Sequence, residues 1–169
     1  MDHPILRYAI VVLSAVVIQY AVFTQFRVGG VCADLLLVLA IAAGIHSGAE
    51  RGAIIGFVCG LALDAMVVTP FGLGAMSYLA AGAIAGMLEA ATVHASRWLT
   101  VGIAAVSSAA GIVFFAVLGA VLGQANMLTG HLFTVVAVVA LTSALLVLPV
   151  LRACRWADPE DERLRTAAR

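Results

Sequence analysis

GAIIGFVCGLALD, residues 52–64, places glycine at 52, 56 and 60 and aspartate at 64, with Thr69-Pro70-Phe71-Gly72 close behind. On a helix this four-residue spacing draws a single stripe. Three positions on it let a second helix touch backbone, and the fourth carries a carboxylate. The rest of the segment is almost entirely apolar. An aspartate near the end of a membrane span is costly, so Asp64 is a candidate functional group.

The surrounding chain supports a membrane reading. Of its 169 residues 64% are hydrophobic and 11% charged, and the mean hydropathy is +1.14. The apolar residues come in long blocks, and a soluble core of this composition would have no polar surface to cover it. Six spans are expected, at about residues 6–26, 31–45, 52–68, 73–93, 98–122 and 128–151. Lengths near 20 residues suit a hydrocarbon core of about 30 Å, and the second and third spans are short. The alternation of a membrane β-barrel is missing, so the expected fold is an all-α integral membrane bundle. The first span is read as an uncleaved helix, being long for a signal peptide and without a small-x-small cleavage site.

The basic residues set an expected orientation. All nine are arginine, and Arg7, Arg51, Arg97, Arg152, Arg155, Arg163, Arg165 and Arg169 fall on one side of a six-span layout, leaving Arg27 alone on the other. The positive-inside rule then puts both termini in the cytoplasm. The arginines are the ordinary dress of a cytoplasmic membrane face, so nucleic acid is not an expected partner. Outward turns are very short, and residues 152–169 form the one soluble stretch, a flexible tail in which Asp158 and Pro159 could open a short helix.

Several polar residues then stand out. Arg27, Asp34 and Asp64 fall near the outer face, where the lone outward arginine is the natural partner of either carboxylate. A polar cluster pinning the helix ends is one reading, and snorkelling of each group to headgroups and water is the other. Glu89 continues the stripe of Gly82 and Gly86 at the inner end of span four. An ion pair with Arg97 or a neighbouring cation is expected there. Gly52, Gly56, Gly60, Gly82 and Gly86 are candidates for packing a partner helix, or for packing span three on span four; spacing alone does not separate the two roles. Cys32, Cys59 and Cys154 fall at three depths, with neither a pairing nor a metal-ligand spacing. There is no phosphate loop, HExxH or local Ser/His/Asp signature, and an Asp34–Asp64 dyad has no third group. The expectation is a non-enzyme, with neither cofactor nor metal.

The ordered string Ala33-Asp34-Leu35-Leu36-Leu37, Gly48, Gly52, Gly56-Phe57, Gly60-Leu61, Asp64, Pro70-Phe71-Gly72-Leu73, Tyr78, Gly82 and Gly86 resembles the MreD family, the rod shape-determining membrane proteins of bacteria. The family usually has Pro-Asp-Leu-Leu where this chain has Ala33-Asp34-Leu35-Leu36, so one proline is missing. The resemblance covers about residues 32–86; spans one, five and six match only in being apolar. It implies a compact six-helix bundle similar to the substrate-binding subunits of energy-coupling-factor transporters. It also implies a non-catalytic scaffold of the peptidoglycan elongation machinery, binding the transmembrane helix of an MreC-like bitopic protein. RodA-type glycosyltransferase, a class B penicillin-binding transpeptidase and MreB would complete the complex. The rival expectation is a membrane subunit that captures a vitamin-like solute for a transporter, using an outer pocket at Asp34 and Asp64.

Overall fold

The structure is a computed structural model that describes residues 4–19, 21, 27–28, 31–32, 34–65, 72–92, 96–123 and 132–157. Among these are six helices and one tiny hairpin: α1 (Pro4–Ile18), β1 (Arg27–Val28), β2 (Val31–Cys32), α2 (Leu35–Ser47), α3 (Ala49–Asp64), α4 (Leu73–Ala90), α5 (Arg97–Val121) and α6 (Leu132–Ala157). The turn Thr69-Pro70-Phe71, the loop that includes His94, the third outward turn and the tail with Asp158 and Pro159 lie outside the described residues.

α2 is the axis of the bundle. It is apolar all round, and such a helix is stable only when enclosed on every side. Leu36 to Ala43 are 0–2% exposed, and α2 touches each of the other five helices. At 1.5 Å per residue its 13 residues reach only about 20 Å, so both polar ends must be satisfied inside the protein. At its start Asp34 caps the helix, accepting from Leu37 N at 3.1 Å. Gln19 Oε1, brought in from beyond α1, accepts from Leu35 N at 2.8 Å. At its far end Ser47 Oγ meets Tyr8 Oη of α1 at 3.0 Å. Gly48 then turns the chain in one residue at φ 88°, a left-handed value that suits glycine, and α3 runs back along α2.

α4, α5 and a 23-residue stretch of α6, Val135–Ala157, are long and apolar enough to cross a membrane, while α1 and α2 are shorter apolar helices. Lipid-facing positions are populated accordingly: Ile54 and Val58 on α3, Val106, Val113 and Val117 on α5, and Leu141 and Leu145 on α6 are exposed.

Two expected boundaries move. The second span is expected from residue 31, but Val31 and Cys32 pair with Val28 and Arg27 in the hairpin, and the helix starts only after the Asp34 cap. The first span is expected to reach residue 26; α1 runs to Ile18, and residues 22–26 lie outside the described ones. The tail was placed from residue 152, yet α6 continues to Ala157, because Leu151, Cys154 and Ala157 are buried against the bundle at helical spacing. Arg152, Arg155 and Trp156 take the exposed side of that extension. The Arg7 guanidinium lies 5.8 Å from the centre of the Trp156 ring, a cation–π contact joining α1 to the end of α6.

Candidate functional site

The glycine stripe meets another glycine stripe. Gly52, Gly56 and Gly60 on α3 and Gly74, Gly82 and Gly86 on α4 are all buried, and α3–α4 is the most extensive helix contact in the protein. A Cβ built on Gly52 would come within 2.6 Å of the Gly82 carbonyl oxygen and 2.9 Å of Gly44 N. On Gly56 it would stand 2.7 Å from the Tyr78 carbonyl carbon, and on Gly60 2.7 Å from Ala75 N. On Gly86 it would stand 2.6 Å from the Gly48 carbonyl carbon. Real Cβ atoms do not approach backbone this closely, so these helices are in contact main chain to main chain. Of the two roles open to Gly52, Gly56, Gly60, Gly82 and Gly86, the packing of α3 on α4 is the one present. A partner helix cannot reach them, because a neighbour within the same chain already occupies each.

Gly44 of α2 belongs to the same contact, since a Cβ there would press on the Gly82 carbonyl and on Gly86 N at 3.2 Å. The three-helix junction of α2, α3 and α4 is therefore built on Gly44, Gly52 and Gly82. The four-residue spacing in fact runs backwards through Gly48 to Gly44, a signal that a stripe begun at Gly52 overlooks.

Asp64 ends the stripe and ties the turn. Its Oδ2 accepts from Gly72 N at 2.9 Å and Ala75 N at 3.1 Å, and its Oδ1 accepts from Gly74 N at 3.0 Å. The first N–H groups of a helix have no partner within it and sit at the positive end of its dipole. A carboxylate held there by the last residue of the preceding helix satisfies both needs. Gly74 leaves the room, since a Cβ at that position would sit 3.1 Å from the Asp64 Cγ.

Asp34 is engaged differently. Oδ1 caps α2 and Oδ2 accepts the Tyr78 hydroxyl, linking the starts of α2 and α4. Both carboxylates of the expected Arg27–Asp34–Asp64 cluster are engaged by helix-terminal N–H groups and, at Asp34, by a phenol. Arg27 enters the hairpin opposite Cys32, and its side chain lies outside the described residues. Tyr78 had entered only as part of a family string; no spacing rule links it to Asp34, 44 residues away.

At the other end of the bundle no ion pair joins Glu89 to Arg97 among the described residues. Glu89 Oε2 is buried without a hydrogen-bond partner, while Arg97 opens α5 on an exposed position. Cys59 and Cys154 are free and buried.

Beside Asp34 lies a cavity of about 200 Å³, walled by Leu37, Ser77, Tyr78, Ile112, Phe115 and Val139 among others. Its walls come from α2 to α6, and its lining is mostly apolar. Ser77 Oγ donates to Leu73 O at 2.8 Å, so both hydroxyls on its wall already have acceptors.

A bundle wound around a buried apolar helix, with three helices fit to cross a bilayer and Asp34 and Asp64 engaged at helix starts, defines a helical membrane protein. The sequence model of the family described as rod shape-determining protein MreD matches residues 3–156 of the 169-residue chain, and the chain belongs to that family. No curated protein and no solved structure matches it. Membership assigns it to bacterial cell-shape determination.

Proposed function

We propose that this chain is a non-catalytic scaffold of the peptidoglycan elongation complex, multi-pass in the plasma membrane with both termini cytoplasmic, and that it holds the transmembrane helix of an MreC-like bitopic partner. The carrying observation is the family match along nearly the whole described bundle. The short outward connections support it: with little chain outside the membrane, recognition falls to helix faces. Since the α3 and α4 glycines are consumed internally, the partner face is to be sought on exposed positions such as Gly102, Val106 and Val113 of α5, where a Cβ at Gly102 meets nothing within 4 Å. RodA-type glycosyltransferase, a class B penicillin-binding transpeptidase and MreB would join through that partner or beside it.

The alternative, a solute-capturing subunit similar in architecture to those of energy-coupling-factor transporters, draws on the cavity at Asp34. Its volume of about 200 Å³ is below the roughly 300–1,000 Å³ of small-molecule sites. Asp64, the second residue assigned to such a pocket, already holds three backbone N–H groups. We therefore favour the scaffold. The test is purification of the tagged protein in mild detergent after in-membrane cysteine crosslinking from Val106, Val113, Leu141 and Leu145. An MreC-like protein crosslinked at one of these faces supports the scaffold; an ATPase pair with its membrane coupling subunit supports the transporter.

A further inference from the structure

We propose that the cavity beside Asp34 is a socket for one aromatic side chain carrying a hydrogen-bond donor, a tryptophan or tyrosine, presented by the membrane helix of the partner protein. The inference rests on the scaffold reading and adds to it the place and the chemistry of the anchor.

Size comes first. An apolar cavity of about 150 Å³ is enough to take up benzene. The present cavity, about 200 Å³, admits one ring and a few further atoms, and is too small for a vitamin-sized solute. Wall chemistry comes second. Leu37, Ile112 and Val139 are aliphatic, and Phe115 and Tyr78 offer ring surfaces against which an aromatic guest can pack edge to face or offset.

Polarity is the third argument and the most selective. The Tyr78 hydroxyl donates to Asp34 and the Ser77 hydroxyl to Leu73 O, so neither has a proton left to offer. A carboxylate presents about four acceptor positions. Asp34 uses one on Leu37 N, one on the Tyr78 hydroxyl and one on Leu36 N, which leaves about one free. The cavity therefore presents acceptors and withholds donors. Indole N–H is a donor only, and a phenol donates well. A bare hydrocarbon guest would leave the remaining acceptor position of Asp34 unfilled, and a Lys or Arg would have to shed its hydration against mostly apolar walls. Position agrees: the cavity lies where α2 and α4 begin, which is the outer end in the orientation proposed above, and membrane helices concentrate Trp and Tyr at such interfaces.

The test co-expresses the tagged protein with the MreC-like partner and measures partner recovered per mole of bait in mild detergent. Val135→Phe fills the cavity from its wall, with Ile112→Phe as a second filling variant should the first fail to fold. Asp34→Asn keeps a helix-capping side chain but removes the charge. With melting temperatures near that of the unaltered protein, filling is expected to lower recovery about tenfold or more, as for loss of an interface anchor, and Asp34→Asn to lower it severalfold. Changing each Trp and Tyr of the partner helix to Leu should find one position that reproduces the loss. Combined with Val135→Phe, that change should produce no further loss. Undiminished recovery by folded, filled variants overturns the socket while the scaffold stands. So does a partner in which a Lys or Arg, rather than a ring, is the sensitive position. If the unaltered protein recovers no partner, the scaffold reading falls and the socket with it.

Discussion

Substituting Gly56 by alanine adds one carbon where α3 and α4 meet backbone to backbone, and the expected effect can be worked from the surrounding atoms. The new Cβ would press on the Tyr78 carbonyl oxygen, standing 2.7 Å from the carbonyl carbon and 3.1 Å from Leu79 N. Carbon atoms rest about 3.5–4.0 Å apart. All three neighbours are main chain, so no rotamer change relieves the clash and the helices must part locally by about 1 Å. Overpacking of this kind costs about 1–3 kcal/mol, and the better helix propensity of alanine returns about 0.5–1 kcal/mol of it. Between membrane helices there is little hydrophobic drive to reseal the gap, so close van der Waals contact carries a large share of the association. Displacing Tyr78 also strains its hydrogen bond to Asp34. The assay is thermal unfolding in one detergent, read by circular dichroism and by the monodisperse fraction on size exclusion. Gly102→Ala serves as the internal reference, because nothing lies within 4 Å of its Cβ. Gly56→Ala, and likewise Gly52→Ala and Gly60→Ala, should melt several degrees below Gly102→Ala. Equal melting of Gly56→Ala and Gly102→Ala would show that α3 and α4 do not touch through backbone, and the packing argument would fail.

Asp64→Asn turns one carboxylate oxygen into an amide nitrogen facing the start of α4, leaving at least one of Gly72, Gly74 and Ala75 N–H without its acceptor; a loss of about 1–3 kcal/mol is expected in the same melt, and an unchanged profile would contradict the tie. Ser107 and Ser143 each bury a hydroxyl with no partner, so their alanine variants should leave stability within about 0.5 kcal/mol or raise it; a marked drop would reveal hidden hydrogen bonds. Gln19→Leu strips Leu35 N of its acceptor and should cost about 1 kcal/mol, with proteolysis near residues 19–27 as the sensitive readout; unaltered cleavage would mean that the Gln19 contact does not hold the end of α1.

What was legible in the sequence depended on range. The membrane class followed from apolar blocks, and the family from an ordered string in residues 32–86, because both are written locally. The glycines announced close helix contact, but a stripe does not name the helix it touches. Its occupant became plain only where α4 laid Gly82 and Gly86 against Gly52 and Gly48. Charge pairing is the first thing a sequence suggests, and it offers Arg27 to Asp34 and Asp64. The hydrogen bonds these carboxylates make are to main-chain N–H groups at helix starts and to the Tyr78 hydroxyl, none of which spacing announces. Glu89 and Arg97 make the same point: among the described residues the two are not paired, although they lie close in the chain. The end of α6 was missed because three arginine and tryptophan positions masked the buried spacing of Leu151, Cys154 and Ala157.

The two aspartates now separate into different kinds of residue. Asp64 is spent, its two oxygens shared among three N–H groups of the turn it closes, and the glycines before it are equally spent on α4. Everything in the opening motif therefore goes to building a rigid three-helix wedge of α2, α3 and α4. Asp34 stands instead on the wall of the cavity described above, where its carboxylate meets the start of α2 and the Tyr78 hydroxyl. A scaffold needs both conditions: a frame stiff enough that a partner pays little for ordering it, and an incomplete polar site at its margin for that partner to complete. The most conspicuous motif in the chain supplies the frame, and the recognition chemistry belongs to a single carboxylate whose neighbours come from four other helices.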